Sequence, residues 1–340
     1  SETIPDHIVI KTLGRHQHEN YFNFYNKNKN SDYLLFNGFN SNEFTNIKRL
    51  AFHNIFNSFV RNSKEMLTML NENTSEEINT LVVCNTIKNL ATYSYYCALL
   101  RTLKAKNPKL TLFHGGAELI SHAANKEKVS TYWLTHGLID PICHKNIPEY
   151  DCIYVYSEEE LNYLNSLSIK SKIKVYSFNK IEDRQNKVIC FLGYEDRSTD
   201  IEQSYLKDIL NLFQSHNFEI LIKPHPVSDS NLEKKLPNHQ KIKIVREKIN
   251  TVELLQREKP SFSVSWISTS VCESLQSGVI PICITEINNP YHSSLFFHPS
   301  ECPYPYEKRA LFWEKESQKI ISLLKNIDDY SALLEDLRNR

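Results

Sequence analysis

The apolar run FEILI (218–222) ends in Lys223-Pro224-His225-Pro226. Prolines on both sides restrict the backbone around the histidine, so its imidazole is held at the end of a strand. A held imidazole can donate a hydrogen bond to a phosphate oxygen; the plainer alternative is a rigid turn with an incidental histidine. A second cluster follows the run PSFSVSW (260–266): Ser268-Thr269-Ser270, then Val271-Cys272-Glu273-Ser274. There a strand gives way to a helix, which offers hydroxyls, unpaired backbone N–H groups and the positive end of the helix dipole to an anion. Ser270-x-x-Glu273 equally matches a capping box, which needs no ligand. Together with His225, the cluster reads as a seat for one phosphate.

Two earlier runs end in histidine and glycine: Phe113-His114-Gly115-Gly116-Ala117-Glu118 and Leu134-Thr135-His136-Gly137. Glycine lets the chain turn sharply there and lets a substrate approach the backbone. His136, Glu118 or His114 is a candidate general base for deprotonating a hydroxyl, and Asp140 either orients His136 or caps the next turn. Gly193-Tyr194-Glu195-Asp196-Arg197 follows another apolar run, and Arg197 is either a phosphate partner or a solvated charge. His16-Gln17-His18 has no cysteine nearby, and neither HExxH nor DxD occurs, so neither a metal nor any other cofactor is expected.

The elements that must position these residues alternate along the chain. Strands are predicted at 7–13, 32–36, 80–85, 109–115, 130–137, 152–157 and 172–177, then at 187–194, 218–226, 241–245, 260–266 and 279–285. Helices are predicted at 200–213, 250–258 and 270–277, with a helical tail after 309. The polar stretch NKIEDRQNK (179–187) reads as a linker, dividing a first domain (1–180) from a second (181–340). Strand–helix alternation predicts parallel sheets covered on both faces. The expected fold class is therefore α/β, with two Rossmann-like domains facing across a cleft and ligands bound at the strands' carboxyl ends.

Composition limits the partners. Across 340 residues, 40 Lys plus Arg balance 40 Asp plus Glu, so no net basic field favours nucleic acid. Only seven glycines occur, with no GxGxxG and no GxxxxGK[ST], which disfavours dinucleotide dehydrogenases and P-loop NTPases. The eight cysteines form no CxxC pair and read as reduced, buried thiols. No apolar run approaches the ~20 residues that cross a bilayer, and residues 1–20 lack a secretory layout, so a cytoplasmic protein is expected. Any membrane contact is expected to be peripheral, through residues such as Tyr304, Tyr306, Lys308 and Arg309.

The KPHP and the Ser/Thr cluster in a two-Rossmann layout resemble the HP and S motifs of bacterial GT-B glycosyltransferases that use CMP-sugars. These are the capsular and lipooligosaccharide sialyltransferases, polysialyltransferases and Kdo transferases. The resemblance implies an acceptor-binding domain at 1–180 and a nucleotide-sugar-binding domain at 181–340, with a sialic or related nonulosonic acid donor, a surface-glycan acceptor and metal-free, inverting transfer. It further implies that His225, Ser268, Thr269 and Ser270 contact the CMP phosphate. The sialyltransferase acidic motif would fall at His114-Gly115-Gly116, where no acid stands, which throws the base onto His136 or Glu118. The teichoic-acid glycerophosphotransferases share a similar His-Pro and an early His-Gly, so a CDP-polyol phosphotransferase is the nearest rival.

Overall fold

The computed structural model describes residues 7–10, 33–36, 55–64, 80–114, 119–135, 149–167, 169–192, 199–225, 242–247, 249–266, 268–286, 309–326 and 329–339. Two six-stranded sheets organise them.

The first sheet runs β2-β1-β3-β4-β5-β6, from β1 (His7–Ile10), β2 (Tyr33–Phe36), β3 (Thr111–His114), β4 (Ser130–Leu134), β5 (Cys152–Val155) and β6 (Lys172–Val175). β1 pairs in parallel with both β2 and β3. Helix α1 spans 55–64, α2 Thr80–Lys106 and α3 Leu119–Lys126. Leu99, Leu100 and Leu103 of α2 pack with Leu110, Leu112 and the buried Ile120, Ala123 and Ala124 of α3. Residues 80–85 are thus the start of a helix, correcting the strand expected for TLVVCN. β-Branched side chains favour strands only weakly, and tertiary packing of the turns that follow overrides that preference.

The second sheet, read β9-β8-β7-β10-β11-β12, has the Rossmann strand order. Its strands are β7 (Gln185–Leu192), β8 (Glu219–Pro224), β9 (Ile242–Ile244), β10 (Pro260–Ser265), β11 (Ile280–Cys283) and β12 (Leu311–Phe312). Their pairings are all parallel. The helices are α4 (Glu158–Ser166), α5 (Asp200–Ser215), α6 (Thr251–Glu258), α7 (Ser270–Ser277), α8 (Trp313–Lys325) and α9 (Tyr330–Asn339). Alternate residues of each strand enter opposite cores. Ile220 and Ile222 join Ile209, Leu210 and Phe213 of α5 with Leu323 and Leu334 of the tail helices, and Leu221 joins Leu254 and Leu255 of α6.

The chain forms two compact units, one around each sheet, and Tyr156–Tyr163 belongs to the second. The stretch read as a linker is anchored: Ile181 is buried, its N–H donates to Ser277 O at 2.8 Å, and β7 already begins at Gln185. Cys97, Cys152, Cys190, Cys272 and Cys283 are free, buried thiols. Among the described residues no helix is long and apolar enough to cross a membrane.

Candidate functional site

In the Rossmann order the chain switches direction between β7 and β10, and ligands bind beyond the carboxyl ends of the strands there. Register fixes what stands at that edge. Phe191 of β7 pairs with Lys223 of β8 on one side and with Ser265 of β10 on the other. Leu192 is paired with Pro224 and the His225 N–H donates to Leu192 O at 2.6 Å, while on the other side of β7 Trp266 follows the last residue of β10. With neighbouring strands about 4.8 Å apart, the backbones of β8 and β10 lie about 10 Å from each other. A phosphate and its donors span that distance.

His225 is half-buried, and burial pushes its imidazole below the ordinary histidine pKa, so the ring is neutral near pH 7. A neutral ring keeps one N–H to donate. The Lys223 ammonium donates to the Glu247 carbonyl, binding the strand to the segment before α6. Burial, before the opposing effect of Glu247, lowers its pKa. Pro224 is the last residue of β8.

Across β7, the strand-to-helix connection differs from expectation. Ser270 is the first residue of α7, not its cap; Thr269 holds the cap position in a right-handed helical conformation and makes no side-chain cap bond. The Ser268 hydroxyl instead accepts from the Ser270 N–H at 3.3 Å, and the Val271 N–H donates to Ser268 O at 3.0 Å. The capping box read from Ser270 and Glu273 thus does not form, because by Ser270 the backbone is already helical. Ser268 and Thr269 are half-exposed at the sheet edge, whereas Ser270 is 3% exposed and its hydroxyl has no partner. Of the three hydroxyl residues, Ser268 and Thr269 are the ones open to a ligand. Glu273 is buried at 4% exposure.

Sequence reading overlooked a capping box elsewhere. At α5, the Thr199 hydroxyl accepts from the Glu202 N–H, and the Glu202 carboxylate accepts from the Thr199 N–H, each at 3.1 Å. The pattern Thr199-x-x-Glu202 before an apolar run carried that signal. Asp200 and Glu202 place negative charge in the first turn of α5. The first strand–helix connection of a Rossmann unit is the usual phosphate seat, and here its helix dipole is already neutralised by carboxylates. α7 also carries an acid, Glu273, in its first turn.

In the first unit, His114 closes β3, next to β1 in the sheet, with its backbone paired to Trp133. Thr135 follows β4 and ties it to β5, its hydroxyl donating to Tyr154 O at 2.7 Å. Gly115, Glu118, His136, Gly137, Gly193, Arg197 and Pro226 lie outside the described residues, as do Tyr304, Tyr306 and Lys308. Arg309, expected at a membrane surface, is instead engaged within the fold. Its guanidinium pairs with Glu159 at 2.9 Å and donates to Arg338 O at 2.8 Å. Among the described residues no cluster of His, Cys, Asp and Glu could hold a metal ion.

No family model matches this sequence, and no curated protein matches it. Among solved structures it is similar to S. aureus MnaA with UDP (12% identity, 78% of this chain and 79% of that one, TM-score 0.46). It is also similar to UDP-GlcNAc 2-epimerase from Neisseria meningitidis bound to UDP-GlcNAc (14% identity, 74% and 76%, TM-score 0.47). A third is Phytolacca americana UGT2 complexed with UDP-2-fluoro-glucose and pterostilbene (11% identity, 100% and 94%, TM-score 0.47).

Proposed function

We propose that this chain is a metal-independent glycosyltransferase of GT-B type, which seats the single phosphate of a CMP-sugar between His225 and the Ser268–Thr269 entry to α7. It transfers sialic acid or a related nonulosonic acid to a hydroxyl of a bacterial surface glycan, with inversion. The observation that carries this reading is that the segments ending in His225 and in Trp266 flank β7 on its two sides: the His225 N–H donates to Leu192 O, and Trp266 follows Ser265, the partner of Phe191. The HP and S motifs supply the choice of CMP.

When the glycosidic bond breaks, charge builds on the phosphate oxygen that leaves with CMP. The His225 N–H and the hydroxyls of Ser268 and Thr269 are donors fixed in advance for that charge. The proton of the attacking hydroxyl passes to a base supplied by His136, Glu118 or His114.

Nucleotide release should be measured with CMP-sialic acid, UDP-GlcNAc and CDP-glycerol, alongside titration of CMP, UMP and UDP by calorimetry. Release from CMP-sialic acid alone supports the proposal. Release from UDP-GlcNAc replaces it with a UDP-sugar enzyme, and release from CDP-glycerol with a phosphotransferase. His225→Ala removes one hydrogen bond to a charged group, so CMP affinity is expected to fall about 10- to 100-fold; unchanged affinity refutes the phosphate role of the imidazole.

A further inference from the structure

The carboxylate of Glu202 does more than cap its own helix. Glu202 is completely buried. One oxygen, Oε2, accepts from the Thr199 N–H at 3.1 Å, as a capping box requires, while Oε1 accepts from the Glu286 N–H at 2.8 Å, 84 residues further along the chain. The Thr199 hydroxyl, which accepts from the Glu202 N–H, donates to Glu286 Oε2 at 3.1 Å. Four hydrogen bonds thus close a ring among Thr199, Glu202 and Glu286.

The ring's place in the fold gives it a purpose. Thr199 enters α5 from β7, and Glu286 leaves β11; in the sheet, β10 lies between those two strands. The tie therefore crosses the end of β10, where the chain turns through Trp266, Ser268 and Thr269 into α7. A buried carboxylate is costly unless each oxygen is paired, and here each oxygen takes a backbone amide from a different connection. Breaking either bond leaves a charge short of a partner, so the two connections are held in one arrangement or both released.

We propose that Glu202 is a positioning residue: its carboxylate latches the connection after β7 to the connection after β11, and so holds the edge around the α7 seat in its binding geometry. This rests on the nucleotide reading above. Glu202 touches no ligand in this role.

The test uses Glu202→Gln in the full chain. The amide keeps shape and one acceptor but sets an NH2 group against one of the two backbone N–H donors. In the free protein, hydrogen exchange is expected to speed up at Thr199 and Glu286 together, while the amides of Ile209–Phe213 in the body of α5 keep their protection. With CMP as probe, calorimetry is expected to show affinity weakened about tenfold, because binding must then restore the arrangement that the latch no longer holds. Thr199→Val is the second variant, for the event that the first does not fold. It leaves both Glu202 carboxylate bonds and removes the hydroxyl bridge to Glu286, with a smaller loss of CMP affinity expected. Exchange that changes at Thr199 alone overturns the latch. A lower melting temperature with unchanged CMP affinity overturns the positioning role and leaves a purely structural tie. If wild-type protein binds none of CMP, UMP and UDP, the nucleotide reading falls and takes the positioning role with it, and coupled exchange at Thr199 and Glu286 marks that outcome apart from failure of the latch.

Discussion

Replacing Ser274 and Ser277 by alanine should stabilise this protein. Both lie on α7 at 0% exposure, and with Ser270 they share one side of the helix at spacings of four and three residues. None of the three hydroxyls has a hydrogen-bond partner, and Trp266 Nε1 and Gln276 Oε1 nearby have none either. A buried polar group left unpaired costs about 1–3 kcal/mol. Alanine removes that cost and adds up to about 0.5 kcal/mol of helix propensity over serine. Against this, deleting one oxygen opens a void smaller than a methyl group, worth less than about 1 kcal/mol. The net gain is about 1 kcal/mol per site, and in a unit of this size each kcal/mol raises Tm by about 2–4 °C. Thermal unfolding followed by circular dichroism or calorimetry measures it, with Ser171→Ala as a control of opposite sign. The Ser171 hydroxyl accepts from the Tyr150 N–H at 2.7 Å, so its loss should cost about 1 kcal/mol. Destabilisation by Ser274→Ala and Ser277→Ala comparable to the control would mean that those hydroxyls are satisfied, by ordered water for instance, and the reasoning would fail.

Two further outcomes are expected. Burial lowers the His225 pKa, so below the ordinary value of about 6.5 the unfolded chain takes up a proton that the folded one resists. Stability is complete above that value and falls as pH drops through it; chemical denaturation at about pH 8 and about pH 5.5 should show a steeper loss for wild type than for His225→Ala, and parallel losses would exclude the effect. Tyr330→Phe tests the tail helix. The phenol oxygen accepts from the Ile280 N–H at 3.1 Å and donates to the Ser261 carbonyl, so phenylalanine strands a fully buried amide of β11 and should cost about 2 kcal/mol in urea unfolding. A change under about 0.5 kcal/mol would argue against that arrangement.

Much of the second sheet was legible as letters. Runs such as KVICFL and FEILI bury both faces of a parallel strand, so their apolar, β-branched content survives as a local signal. Helix α2 was not legible at its start, because Thr-Leu-Val-Val-Cys looks like a strand until the packing of Cys97–Leu103, more than three turns downstream, is counted. The two Ser/Thr-x-x-Glu patterns illustrate the same limit. One caps α5 at Thr199, while the other, at Ser270, lies inside α7, and nothing in four letters distinguishes them.

By itself the sequence determined most of the strands, though not the helix that begins at Thr80 or the short strand Leu311–Phe312, and that His225 and the Ser268–Ser270 cluster each follow one, because prolines, β-branched runs and hydroxyl residues act over a few neighbours. Strand order was decided only in three dimensions: it brought those two ends to either side of β7, turned the Ser270 hydroxyl inward and joined Glu202 to Glu286. Such pairings depend on which distant backbone groups meet, and a carboxylate carries no mark in the sequence of the amide it will find 84 residues away.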